Sequence, residues 1–371
     1  MIKIAIVMAV VSGTVAYLVL VERRVAAFIQ DRIGPNRVGP LGLLQPLADG
    51  LKFIFKEQII PFHVDKPLYL MAPAVVLISA MIAFAVIPFG PDDNTVIAPG
   101  LDIGILYLFS VGSLAVYGVI LGGWSSNNKY SFFGAMRSSA QLISYEIPLG
   151  LSVVGVILLS GSLRLDVVVA DQTDPFRWNV MVQPLGFFVF LISAFAESSR
   201  LPFDLPECEQ ELIGGYHTEY SGMKFGMFAL AEYLHLITAS FTGVLLFFGG
   251  WHLPFMATEQ TGFLSGLLMT LILVIKVLLC VFVAMWIRWS WPRFRFDQLM
   301  NIAWKTMIPI AMANIVITTL VVELAMSVWS MIPFSIVVMF ILIWMIQRPA
   351  SQTGNISTTD LNLPGTTTTE N

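Results

Sequence analysis

Hydrophobic and polar positions divide this chain into long apolar runs separated by short charged segments. A bilayer core about 30 Å thick takes roughly 20 apolar residues per helical span. Runs of that kind fall near 2–21, 68–88, 102–122, 141–160, 182–197, 224–248, 264–286, 306–324 and 329–346. The pattern predicts an all-α integral membrane protein with eight core transmembrane helices and a ninth at the C-terminal end. It also divides the chain into a polytopic membrane domain over 1–346 and a polar tail over 347–371, rich in Thr, Ser and Asn and expected to be disordered.

The connection between the first two runs has its own pattern. The stretch ERRVAAFIQDRIGPNRVGPLGLLQPLADGLKFIFKEQIIP is too charged to span and too apolar for a free linker. Its Gly34-Pro35 and Gly39-Pro40 steps break helix and set turns. Pro46 then suits a first helical turn, and beyond it Leu47, Leu51, Ile54 and Phe55 share one helical stripe while Gln45, Asp49, Lys52 and Lys56 share the opposite one. An amphipathic helix in the first loop, 22–67, follows. One reading lays it in the lipid headgroups. The other turns its apolar side over a protein cavity and its charged side toward a partner.

Composition removes the soluble alternative, with 57% hydrophobic residues, 12% charged residues and a mean hydropathy of +0.80 over 371 residues. Charge sets the orientation. Of the 20 Lys and Arg, 16 fall in the loops of one side or just after the last span, and Lys3, Arg164 and Arg177 fall on the other. The positive-inside rule then puts the N-terminus outside and these loops in the cytoplasm. The first run has no basic leader and no small-residue cleavage site before Glu22-Arg23-Arg24, so it is expected to remain in the mature protein.

The second loop, 197–223, gathers acids. ESSRLPFDLPECEQELIGGYHTEY holds six carboxylates, Glu197, Asp204, Glu207, Glu209, Glu211 and Glu219, against the single base Arg200. Interleaved Leu201, Pro202, Phe203, Leu212 and Ile213 give the segment a packed texture. On a helix over 206–213, Glu207 and Glu211 would share a face and repel unless protons or partners relieve them. Glu146 and Glu232 lie inside spans and Glu197 closes one; carboxylates there are costly unless paired or neutral and default to a functional pathway. Converging from three spans, they are expected to form a chain of proton-accepting groups. Glu323, near the outer boundary, is the weakest such case. Two cysteines, Cys208 and Cys280, and four scattered histidines offer no spacing for zinc, haem or an iron–sulfur cluster. His217 and His235 are open to two readings, proton carriers or, as is commoner for a lone histidine near an apolar helix, satisfied packing residues. Lys276, inside the seventh run, is left to pair with a buried acid or to snorkel.

Three segments are recognisable: LVERRVAAFIQDRIGPNRVGPLGLLQPLADGLKFIFKE, AFAESSRLPFDLPECEQELIGGYHTEYSGMKF and WPRFRFDQLMNIAWK. They closely resemble the membrane subunits that join the arms of respiratory complex I, the H-subunit family of bacterial NADH–quinone oxidoreductase. The likeness covers nearly all of residues 10–325 and leaves out the ninth run. It implies that Glu22, Arg23, Arg32, Asp49, Lys52, Asp204, Arg293 and Arg295 belong to a quinone chamber and its entry. It implies that Glu146, Glu197, Glu207, Glu209, Glu211, Glu219 and Glu232 couple that chamber to proton translocation.

The substrate would be ubiquinone or menaquinone. No metal or flavin is expected on this chain, the FMN and iron–sulfur clusters being carried by partner subunits. Expected partners are the peripheral-arm subunits, neighbouring small and antiporter-like membrane subunits and the lipid of a bacterial inner membrane, with no nucleic acid. Two other readings stand beside this one: the homologous subunit of a membrane-bound hydrogenase or of a ferredoxin- or deazaflavin-linked complex, and a stand-alone proton-coupled transporter. The transporter would carry an internal repeat, which the sequence does not display.

Overall fold

A computed structural model of the protein describes residues 2–91, 95–174, 177–204, 213–254 and 263–347, the side chains of 263 and 341–347 excepted. The stretch 205–212 lies outside the described residues, and with it Glu207, Cys208, Glu209 and Glu211. Helices make up the regular structure throughout the described residues. In chain order they are α1 (Ile2–Ile29), α2 (Gln45–Phe55), α3 (Lys66–Ile82), α4 (Gly104–Ser125), α5 (Lys129–Ser160), α6 (Leu165–Ala170), α7 (Asn179–Val182), α8 (Pro184–Glu197), α9 (Gly222–Phe247), α10 (Phe263–Ser290), α11 (Phe296–Asn301), α12 (Ile308–Glu323) and α13 (Met331–Gln347). A π-helical turn, Ile302–Met307, joins α11 to α12.

Among the described residues, seven stretches of helix are long and apolar enough to cross a membrane, and Pro184–Glu197 and Val328–Phe340 are shorter apolar helices. The protein is an all-α integral membrane protein. Several helices outrun their apolar cores. α5 begins at Lys129, where the Asn128 side chain accepts the Tyr130 N–H at 3.0 Å, so Lys129 and Arg137 are helical and not part of a loop. α1 likewise carries Glu22, Arg23 and Arg24 within its last turns. α8 is short because Gln183, with φ −121° and ψ 65°, interrupts the helix ahead of Pro184. The buried Gln183 amide donates to Gly155 O at 2.9 Å and to Thr318 Oγ1 at 3.2 Å, which re-satisfies part of the freed polarity at membrane depth.

In lipid, apolar side chains gain little by leaving one neighbour for another, so close backbone approach decides which helices pair. α3 packs on α4, α4 on α5, α5 on α8 and α12, and α9 on α3. A Cβ at Gly118 would lie 2.3 Å from Val76 Cγ2 and 3.0 Å from Ala72 O, which fixes the α3–α4 spacing. The first loop is similarly constrained. Gly42 has φ +74°, and a Cβ there would stand 2.3 Å from Pro35 O. The turn between α1 and α2 therefore closes only on glycine.

Among the described residues Lys276 pairs with no acid, and its partners are backbone carbonyls. Its ammonium donates to Phe248 O at 2.8 Å, Gly250 O at 2.9 Å and His252 O at 2.5 Å, and lies 4.5 Å from the centre of the Trp178 ring. These carbonyls follow the C-terminus of α9, where helix geometry leaves acceptors without donors and the macrodipole favours a cation.

Both packing devices can be broken singly. Gly118→Val forces α3 and α4 apart and is expected to cut the amount of assembled complex on native gels, whereas a normal yield would show that the spacing is not limiting. Lys276→Met strands three acceptors and should cost about 2 kcal/mol, read as a lower melting temperature of the detergent-solubilised complex with intact composition.

Candidate functional site

α2 closes against α1 and α9. The Arg23 guanidinium meets Asp49 Oδ2 at 2.6 Å, the Gln45 side chain donates to Asp49 Oδ1 at 3.1 Å, and the Phe53 ring stands 6.4 Å from that of Phe225. Gln45, Asp49 and Phe53, spaced by four, share the inward side of α2. Its apolar stripe, Leu47, Leu51, Ile54 and Phe55, is exposed, with Ile54 at its edge also lining the inner space. Of the apolar stripe only Ile54 does so, and of the polar stripe Gln45 and Asp49 do while Lys52 and Lys56 are exposed, so the inward side is a mixed one, set by the ion pair and hydrogen bond to Asp49.

That side looks into a cavity of about 560 Å³ between α1, α2, α9 and α10. Apolar residues such as Val15, Val19, Phe53 and Leu230 line most of it. Its polar lining gathers Glu22, Arg23, Arg32, Gln45, Asp49, Tyr233 and Arg288. Val15 to Glu22 is seven residues, or ~10 Å of helix rise, so the cavity runs from the apolar part of α1 to its charged end. Of the chamber residues implied by the resemblance, the structure places Glu22, Arg23, Arg32 and Asp49 in this wall. Lys52 and Arg295 are exposed and outside it. Asp204 is buried, also outside this lining, and pairs with Arg293 at 3.2 Å.

At the charged end, Glu22 is only 4% exposed. It accepts from Arg200 at 3.0 Å, from Tyr233 at 2.6 Å and from Arg288. The Arg200 guanidinium lies 3.9 Å from the centre of the Tyr233 ring. Burial works against the charge on Arg200, but Tyr233, Glu22 and Glu232 more than offset this and hold the guanidinium above its ordinary value. Arg200 thus feels one carboxylate in the large cavity and another, Glu232, beyond it.

Glu232 belongs to a second, smaller cavity of about 50 Å³ that Glu146, Glu197, Ser113, Tyr216 and His235 also line. The three carboxylates expected to converge do so around this space. Ser113 donates to Glu146, and Tyr216 donates to Glu232 at 3.3 Å. Gln141 fixes the segment that follows Glu197 by donating to Ala196 O at 3.0 Å and Phe203 O at 2.7 Å. Glu219 sits apart, accepting from Asn128 at 2.6 Å, while its carbonyl accepts from Tyr69 at 2.7 Å. Tyr69 stacks on Tyr220 at 4.2 Å, and burial pushes the Tyr220 phenol up to about 12, so it stays a neutral partner.

Sequence reasoning missed Arg200, Tyr233 and Arg288 as members of one cluster, and it set His235 aside. Their signal was only the cost of placing such groups beside apolar runs.

The family described as NADH dehydrogenase matches residues 2–319, which ends within α12 and leaves α13 outside. A Cytophaga hutchinsonii protein, named as the first H subunit of its NADH-quinone oxidoreductase, is 49% identical over 312 residues, 81% of this chain and 90% of that one. The NADH-quinone oxidoreductase subunit 8 of Rhodothermus marinus is 48% identical over 321 residues, 84% and 93% of the two chains. The H subunit of the Salinibacter ruber NADH-quinone oxidoreductase is 48% identical over 318 residues, 83% and 91%. With the family match spanning most of the chain and identities near one half, the protein belongs to the NADH dehydrogenase family of membrane subunits, the H subunits of NADH–quinone oxidoreductase.

Proposed function

We propose that the large cavity is the membrane side of a quinone-binding chamber and that the buried carboxylates couple quinone reduction to proton translocation. As a member of the H-subunit family the chain is a subunit of complex I and partners with its other subunits. One observation supports the finer reading: Arg200 touches Glu22 in the wall of the large cavity and lies within the field of Glu232 in the small one.

The lining fits a quinone. A mostly apolar wall accommodates the ring and its isoprenoid tail, and a few convergent donors orient its carbonyl oxygens. Arg23 and Arg32 are such donors, and Asp49 holds Arg23 in place. Electrons would come from an iron–sulfur cluster held by a peripheral-arm subunit docked on the loop side, which the excess of Lys and Arg assigns to the cytoplasm of a bacterial inner membrane. Turning quinone into quinol consumes as many protons as electrons. Before those protons arrive, extra negative charge in the chamber draws on the Arg200 and Arg288 guanidinium groups that share Glu22. Weakening the hold of Arg200 on the buried acids changes the free energy of protonating Glu232, and through it Glu197 and Glu146, since neighbouring carboxylates titrate as a group. Proton movement toward the antiporter-like subunits is the expected consequence. Glu207, Glu209 and Glu211, in the segment 205–212, are proposed to join the same chain from the loop side.

Asp49→Asn should free Arg23 and raise the apparent KM for quinone roughly tenfold, about 1.4 kcal/mol, while NADH–ferricyanide activity, which bypasses the chamber, stays unchanged. Unaltered quinone kinetics would remove Asp49 and its cavity from the quinone site. Glu146→Gln and Glu197→Gln, assayed in inverted vesicles, are expected to lower proton translocation and coupled quinone reduction severalfold with full assembly; wild-type pumping in both would refute the coupling role.

A further inference from the structure

The small cavity has a neighbour. A second space of about 20 Å³ is lined by Leu108, Phe109, Thr238 and Thr242, and it shares Gly112, Glu197 and His235 with the first. Both volumes exceed the roughly 10–15 Å³ that one water molecule needs by this measure. Helix direction orders them. The end of α4 meets the first loop, since Ser125 O accepts the Asp65 N–H, and α9 begins beside Lys56 and Glu57. Leu108 and Phe109 lie earlier in α4 than Ser113, and Thr238 and Thr242 lie later in α9 than Glu232. The second space is therefore displaced from the carboxylate cavity toward the side away from the first loop.

His235 stands where the two meet. Its Nε2 is buried and has no hydrogen-bond partner among the described residues, so it is not a satisfied packing residue. A buried imidazole nitrogen without a partner is costly unless water or a proton-carrying group serves it. Facing it from the packed helices are Glu146 on α5, Glu197 on α8 and Glu232 one turn back on α9, with Tyr216 from the second loop; Ser113, Ser138, Ser198 and Ser199 add hydroxyls to the first cavity, and Thr238 and Thr242 to the second. Gly112 borders both spaces, and a Cβ there would stand 3.4 Å from Glu197 Oε1.

From this juxtaposition we infer that His235 is a proton-relay residue joining the carboxylate cavity to a second, hydroxyl-lined water space. Imidazole suits the position because one ring nitrogen takes a proton while the other releases one, so no net charge stays on the ring after the transfer. The proton accepted at Nε2 comes from the Glu197 carboxyl or from water hydrogen-bonded to it, and the proton released at Nδ1 passes to water on the far side. Thr238 and Thr242 then hold that water without competing for its charge. The inference rests on the proton-coupling reading above.

The test is His235→Gln in the assembled complex, with Glu197→Gln alongside. Glutamine keeps donors and acceptors at the site but carries no proton through it. A relay role predicts unchanged NADH–ferricyanide activity and quinone KM, a fall of at least fivefold in the coupled quinone reductase rate, and a loss of the solvent deuterium isotope effect and of the pH dependence of pumping. If His235→Gln pumps like wild type while Glu197→Gln does not, the histidine is packing and only this inference fails. If both variants pump normally, the coupling reading itself fails. A second measurement needs no substitution. In wild-type complex with ring-15N histidine, the infrared spectrum of the quinone-reduced minus oxidised states must contain isotope-shifted imidazole bands, and their absence overturns the relay even if the variants do not assemble.

Discussion

A carboxylate held charged at the edge of a membrane interior organises this protein. Glu22 is withdrawn from water on the last turns of α1, and burying such a charge costs several kcal/mol unless it is paired and hydrogen-bonded. Its partners come from distant parts of the chain: Arg200 is 178 residues away, Tyr233 211 and Arg288 266. One acid therefore fixes α1, the segment after α8, α9 and the end of α10 relative to one another. Removing Glu22 would strip the Arg200 and Arg288 guanidinium groups of the counter-charge they share, which is why the cluster depends on that one acid.

Placing that unit between two cavities gives it leverage. On one side it is part of the polar end of a largely apolar chamber; on the other, Arg200 stands within the field of Glu232. Low dielectric makes such interactions longer in range than they are in water, and in the proposed coupling a change of charge in the large cavity would be felt at the acids without any atom having to travel between them. The carboxylates are supported by neutral groups, the Ser113 and Tyr216 hydroxyls, which accommodate either protonation state by turning. The Tyr69–Tyr220 stack and the Asn128–Glu219 contact tie the second loop to α3 and α5, so the acids after it keep their register.

Much of the architecture is legible in the apolar runs, because hydrocarbon admits only helices that satisfy their own backbone. The pattern misleads where polarity enters. Lys129 and Arg137 read as loop residues, yet a helix capped by Asn128 carries both. On α2 the side that faces the cavity falls between the two stripes, taking Ile54 from one and Gln45 and Asp49 from the other, because the rotation of the helix depends on Arg23 reaching Asp49 from another helix. Lys276 reads as a stray charge because its partners are backbone carbonyls, which no side-chain pattern announces.

The sequence by itself determined that the chain is a helical membrane protein, where its spans lie, that three carboxylates enter them, and to which family it is similar. These follow from local composition and from motifs that survive without coordinates. Only the tertiary structure decided that Glu146, Glu197 and Glu232 share one cavity, that Arg200 pairs with Glu22 within the field of Glu232, and that His235 borders two spaces. The physical reason is that these relations span up to hundreds of residues and are set by close helix approach at positions such as Gly118, where the absence of a side chain carries the information.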